Sequence, residues 1–372
     1  MVMAKMTIRK AKETMSPRER VKRTFAHEQT DRVTIGYETN MAVHMRVADA
    51  LGIHDGNMEF VMQALGVDYR SISAPYTGKQ LFKIPPDRQV DQLEGAIMRW
   101  AANESGGYWD FCDFPLKDAT EEMFTKFPIP NPDDFNYEAA REASSNVNNP
   151  NQYALYVGNA GIPDIINSNG RIMGMEDVLC CLLTEDEAAL DFINRRAEWQ
   201  LGYLERLLDK CCGNIDFVWL GEDLGTQHTP MISKNLYRRV MKPIHKRFID
   251  LAASYELPVI IHSCGSSSWV YPDFIEMGVK GVDTLQPEAA DMSPAYLKEH
   301  FGRDLCFRGC ISTAGPLAYG TVDDVVKNVN ETLEIMTPGG GYHFAPTHAI
   351  QDNSPTENVI AMYQAAHDFK LH

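Results

Sequence analysis

Glu256-Leu-Pro-Val-Ile-Ile-His262-Ser-Cys264-Gly265 decides how the rest of the chain is read. Pro258 to Ile261 is a short apolar run, mostly β-branched, the pattern of a parallel strand covered on both faces. It leads into His262 and Cys264, which as positions i and i+2 of an extended chain point the same way. Gly265 then frees the backbone to turn. A thiolate beside an imidazole suits zinc, so the question is what else converges on that strand end.

The sequence on either side repeats the same unit. Strands are expected at 153–158, 214–220, 282–285, 305–308 and 342–345. Helices fall between them, including 185–210, a helix from Ser233 to about residue 255, and a helix capped by Thr321. Repeated β–α units with short links give a parallel sheet, and so many in series favour an α/β fold of the closed (β/α)8 TIM barrel type over an open sheet. No glycine fingerprint for a dinucleotide follows the first strand, at 31–36, which also tells against the open form. Gly339-Gly340-Gly341 precedes a strand, so it reads as a turn at the far end of the barrel.

The chain is expected to be one domain over 1–372, with the regular repeats in 150–372. Residues 1–30 read as a helical extension, with Ser16 as cap, Pro17 at the first position and Glu19 completing a capping box. Residues 37–148 read as an irregular elaboration rich in aromatics: Tyr69, Tyr76, Phe82, Trp100, Tyr108, Trp109, Phe111 and Phe114. A satellite hydrophobic core is the simpler account of these rings. The rival is a roof over an apolar ligand pocket.

A formal net charge of −16 argues against nucleic acid or an anionic lipid surface as partner. No apolar run approaches the roughly 20 residues of a membrane helix, and Met1 to Met15 lack the apolar core of a secretory signal. A cytoplasmic protein is expected. Eight cysteines include the adjacent pairs Cys180-Cys181 and Cys211-Cys212, where bridging is geometrically poor. Reduced thiols packed as small core residues are expected.

Barrels of this kind work at the carboxyl ends of their strands. Those positions hold Asn159, Glu222, Asp223, His262, Cys264, Gln286, Cys310 and His348, mostly residues that bind metals or move protons. Glu222 and Asp223 are neighbours, so at most one enters the pocket. Cys310 reads equally as ligand or as buried filler. His348 leans towards ligand because of its place.

With these residues located, the chain resembles the uroporphyrinogen decarboxylase superfamily, and within it the corrinoid-dependent methyltransferases. The resemblance runs from Ser16-Pro-Arg-Glu-Arg-Val to Pro355-Thr-Glu-Asn-Val. It is carried most specifically by Gly221-Glu-Asp-Leu-Gly-Thr-Gln227, His262-Ser-Cys-Gly265, Gly309-Cys-Ile-Ser-Thr313 and Ala345-Pro-Thr-His-Ala-Ile-Gln351. It implies a (β/α)8 barrel with its site at the top. Methyltransferases of this kind hold zinc through a His-x-Cys pair and a cysteine after the last strand. The pair falls on His262 and Cys264; the later position here is His348, with Cys310 as rival. Asn159, Gln286 and Gln351 are the candidates for substrate binding.

The decarboxylases hold propionates with an arginine-rich loop, which Gly36-Tyr-Glu-Thr-Asn-Met41 does not supply. The resemblance therefore implies transfer of a methyl group from a small methylated donor, such as a methoxylated aromatic (O-demethylation), to a Co(I) corrinoid. Glu222 or Asp223 would protonate or orient the leaving oxygen. The cobalamin would come on a separate carrier protein: carriers display Asp-x-His-x-x-Gly, and here Ile260 stands where that aspartate belongs. The alternatives are transfer from methylcobalamin to a thiol or pterin, a decarboxylase, and a barrel that binds a small ligand without catalysis. A homo-oligomer is left open by the sequence.

Overall fold

The structure is a computed structural model that describes residues 5–102, 107–147 and 152–371; the expected boundary at 148–150 lies outside the described residues. The strands in chain order are β1 (Thr34–Ile35), β2 (Tyr69–Ser71), β3 (Gln89–Val90), β4 (Ile97–Ala101), β5 (Tyr108–Cys112), β6 (Ala154–Pro163), β7 (Phe217–Gly221), β8 (Val259–His262), β9 (Gly281–Leu285), β10 (Cys306–Ile311) and β11 (Tyr342–Pro346). Eight of them form one sheet in the order β1-β11-β10-β9-β8-β7-β6-β2, and every pairing within it is parallel. The two outer strands meet, since the Asp68 N–H donates to the Ile35 carbonyl at 3.0 Å. The sheet therefore curls into a (β/α)8 barrel.

A charged cluster fixes that seam. The Ile35 N–H donates to Asp68 Oδ2 at 2.7 Å, which Arg32 Nη1 also reaches at 2.7 Å. Arg20 Nη1 reaches Asp68 Oδ1 at 2.5 Å. All three side chains are buried. Arg20 lies on the helix Pro17–Phe25, started by Ser16, whose side chain accepts from the Glu19 N–H. The last residue of that helix puts its ring 5.4 Å from Phe217, plugging the barrel from below.

The strand β2 lies within 37–148, the segment read as an irregular elaboration. Tyr-Arg-Ser is short and half polar, so it carries no apolar run, yet it pairs with β6 in register. The chain between β2 and β6 adds a separate antiparallel sheet, β3-β4-β5. On that sheet Trp100 and Tyr108 are more than half exposed, whereas Tyr69, on β2, belongs to the barrel interior. The long helix after Ser233 is broken by a π-helical turn, Tyr237–Met241, before Lys242–Ser254. All eight cysteines are free.

Removing Asp68 would leave the buried Arg20 with Asp31 and the buried Arg32 with Glu13 as carboxylate partners, so Asp68→Ala is expected to cost about 3 kcal/mol of stability, the low end for a broken buried pair. Urea unfolding followed by far-ultraviolet circular dichroism measures this directly. A loss below about 1 kcal/mol, the size of one ordinary hydrogen bond, would mean the seam is held elsewhere.

Candidate metal centre

Three of the residues singled out from the sequence converge. The ligand atoms of His262, Cys264 and His348 all lie within 4.8 Å of one another. His262 ends β8 and is buried, Cys264 is half-buried, and His348 after β11 is exposed. Cys264 Sγ is 3.4 Å from His262 Nε2. A tetrahedral ion about 2.3 Å from sulfur and 2.0–2.1 Å from nitrogen would hold two such atoms about 3.5 Å apart, so this pair fits a metal. The turn that presents the thiol is tight: a Cβ at Gly265, where φ is +69°, would meet the Gly225 carbonyl oxygen. Gln286 Oε1 pins that turn by accepting from the Gly265 N–H at 2.6 Å.

The other nitrogen of His262 is fixed from behind. Its Nδ1 lies 3.1 Å from Asp283 Oδ2 and 2.6 Å from Thr284 Oγ1. Successive residues of a regular strand face opposite ways, so Asp283 and Thr284 cannot both reach one atom from an undistorted β9. Thr284 has φ +61°, an outlier for a β-branched residue, and the β9–β10 register shifts beside it. This local distortion, of the kind that costs about 1–3 kcal/mol, turns both side chains inward. With Nδ1–H donating to a carboxylate, Nε2 is left free as a ligand, the usual arrangement behind a metal-bound imidazole.

Burial opposes a charge on the His262 ring, but the hydrogen bonds to Asp283 and Cys264 outweigh it and raise its pKa well above the ordinary value. Burial likewise opposes ionisation of Asp283, yet the Arg308 charge and the His262 bond bring its pKa down to about 2. Burial pushes the Cys264 thiol up to about 11, so metal binding there would have to displace its proton and the one that the raised pKa keeps on His262 Nε2.

The neighbouring acids separate as strand geometry demands. Asp223 faces the centre: Oδ1 accepts from the Cys264 N–H at 2.7 Å and lies 3.8 Å from His262 Nε2. Its Oδ2 accepts from Asn167 Nδ2 at 2.7 Å. Glu222 faces away and is wholly buried. It accepts from the Ile165 and Ile166 N–H groups that begin the helix Ile165–Met173, and lies 3.0 Å from His245 Nε2. Burial raises its pKa to about 8 and lowers that of His245 to about 3. As a candidate for acid–base work at the centre Glu222 is therefore displaced; it anchors a helix.

Among the described residues, Asn159, Gln351 and Cys310 show no hydrogen bond to the side chains of His262, Cys264 and His348. Asn159 is exposed inside β6, whose irregular second half extends past the expected end, and accepts from the Gly161 N–H. Gln351 is exposed and donates to the Ala349 carbonyl. Cys310 is buried, has φ +67°, and is not in the metal-capable group found among the described residues. Burial pushes its thiol pKa up. Asn167, Asp283, Thr284 and Arg308 were not singled out from the sequence. Their chemistry depends on neighbours far away in the chain; a positional hint came from Asp283 and Thr284, two and one before the end of the strand expected at 282–285, and from Arg308 at the end of that expected at 305–308. A cavity of about 370 Å³ lies at the opposite end of the barrel, lined by His27, Val33 and Gly339–Gly341. It carries none of these ligands. The triple glycine is the turn it was read as, closed against His27.

The family profile of uroporphyrinogen decarboxylase (URO-D) matches residues 157–369, more than half of the chain, and the chain belongs to that family. It is similar to a methylated-thiol–coenzyme M methyltransferase of Methanosarcina mazei, 26% identical over 197 residues, covering 53% of this chain and 49% of that protein. The chain thus matches about half of that relative's length. It is also similar to a uroporphyrinogen decarboxylase of Legionella pneumophila, 24% identical over 261 residues, covering 68% of this chain and 69% of that protein. A solved methyltransferase from Methanosarcina mazei superposes with a TM-score of 0.66 at 15% identity, over 95% of this chain and 98% of that one, a likeness of fold.

Two substitutions separate the roles argued above. Asp283→Asn is expected to weaken zinc binding about 10–100-fold, read by competition with a chromophoric chelator. Glu222→Gln is expected to leave zinc affinity within about twofold while lowering stability by about 1–3 kcal/mol. The reverse pattern would exchange the two assignments.

Proposed function

We propose that this protein is a zinc-dependent methyltransferase that takes a methyl group from a small methylated donor and passes it to the Co(I) corrinoid of a separate carrier protein. The observation that carries this reading is the convergence of His262, Cys264 and His348 at the barrel mouth, in a chain similar to a methyltransferase. Zinc held there, with one thiolate and two neutral imidazoles, would carry a net charge of +1 and act as a Lewis acid on the donor's heteroatom.

The chain's own residues would do the rest. Asp283 holds the His262 ring in the tautomer that offers Nε2, and Gln286 holds the turn that offers Cys264. Transfer breaks the bond between the methyl carbon and the heteroatom, whose electron pair stays on the heteroatom, and forms a carbon–cobalt bond with the cobalt's pair. The released oxygen would then take a proton from solvent, relayed by Asp223, whose side chain is 22% exposed and is oriented by Asn167 and the Cys264 N–H.

An ether oxygen is the donor atom this centre favours, because a second thiolate would make it neutral and a weaker acid. A methylated sulfur is the second reading, favoured by the likeness to the methylated-thiol–coenzyme M methyltransferase of Methanosarcina mazei. Decarboxylation of a carboxylate-rich tetrapyrrole ranks below both, since Arg308, the arginine beside the centre, is already paired with Asp283 and Glu38. Among the described residues no helix is long and apolar enough to cross a membrane.

The test is incubation with a Co(I) carrier and a panel of methoxyarenes, methanol, methylamines and methyl thioethers, following the absorbance of methyl-cobalt. A methoxyarene is expected to give the signal, and Asp223→Asn to slow it about 10²–10⁴-fold. No methyl-cobalt with any donor would defeat the reading; a signal with thioethers alone would select the second.

A further inference from the structure

Beneath the metal ligands two buried hydrogen-bond donors lack a protein partner. Arg308 lies inside the barrel on β10, where Nε donates to the Tyr69 hydroxyl at 2.8 Å and Nη1 to Asp283 Oδ1 at 2.5 Å and Glu38 Oε2 at 3.2 Å. Its Nη2 has no partner among the described residues, and neither does Trp219 Nε1. The two belong to one stacked unit, the guanidinium carbon being 4.4 Å from the indole centroid. Buried donors are almost always satisfied, and an orphan costs far more than an ordinary bond is worth. Two orphans on one stacked pair, next to a candidate centre, call for an acceptor from outside the chain.

Charge decides what kind of acceptor. The single positive charge of Arg308 is matched by Asp283, and Glu38 and Asp223 add further negative charge around the same mouth. A ligand carboxylate would be a further anion on an already neutralised guanidinium. Tyr156, half-buried with its ring 5.2 Å from that of Trp219, supplies an aromatic wall. The link from the metal side is short: His262 Nδ1 to Asp283, and Asp283 to Arg308.

We propose that Arg308 Nη2 and Trp219 Nε1 form the floor of the substrate site and select an uncharged ring carrying a second, neutral acceptor oxygen, while rejecting carboxylates. This rests on the methyl-donor reading of the site and names its substrate class.

The test is calorimetric titration of the full-length zinc-loaded protein, without corrinoid, with anisole, the 1,2-, 1,3- and 1,4-dimethoxybenzenes and 4-methoxybenzoate. One dimethoxybenzene is expected to bind about tenfold tighter than anisole, the worth of a well-made buried hydrogen bond, and 4-methoxybenzoate to bind more weakly than that isomer. Trp219→Phe should remove about fivefold of the advantage and change anisole binding little; Arg308→Lys should remove at least as much and, since Arg308 holds Asp283, weaken anisole as well. Equal binding of anisole and every dimethoxybenzene, tightest binding of the benzoate, equal losses for both ligands in Trp219→Phe, or no binding at all would overturn the proposal. Should Arg308→Lys fail to fold, the ligand series on the unaltered chain and Trp219→Phe still decide it. Since no methyl transfer is measured, selective binding without turnover would defeat the proposed activity and leave this site standing.

Discussion

The Asp283 carboxylate joins the two halves of the site. One oxygen fixes the His262 imidazole and so decides which nitrogen faces Cys264 and His348; the other holds Arg308 below. The group is wholly buried, and an unpaired charge there would be costly. Its two partners therefore depend on it as much as it depends on them. The left-handed Thr284 beside it is the local strain by which β9 delivers both side chains to one face. His262, Asp283 and Arg308 thus form a single hydrogen-bonded unit rather than separate features.

The barrel supplies the positions that this unit needs. Parallel strands end together at one rim, so residues far apart in the chain, His262 after β8 and His348 after β11, arrive at one point. The Asp68 cluster makes closure possible where the first two strands contribute few ladder bonds of their own. Glu222 is a smaller version of the same device, since it ties the helix Ile165–Met173 to β7. That helix carries Asn167, which orients Asp223.

Much of this was legible in the sequence because it rests on local pattern. The barrel followed from repeated apolar strands, and the pair His262 and Cys264 followed from two-residue spacing. The rule that only one of Glu222 and Asp223 faces inward was also local, though which one was not: that depends on the phase of the strand against the helices outside it. Tyr69–Ser71 was missed because a barrel strand needs only backbone pairing, and a three-residue polar piece shows no periodicity. Arg308 closes the strand expected at 305–308 and was still passed over, because its importance lies in Asp283, Glu38 and Trp219, none of them near it in sequence. Asn159 and Gln351 occupy the expected rim but spend their side chains on adjacent backbone.

X-ray absorption at the zinc edge of the full-length protein tests the central claim most directly. The account predicts a first shell with one sulfur near 2.3 Å and the remaining nitrogen or oxygen ligands near 2.0–2.1 Å, and loss of that sulfur in Cys264→Ser. Two sulfurs in the shell, as a site built with Cys310 would give, or a sulfur that survives Cys264→Ser, would contradict it.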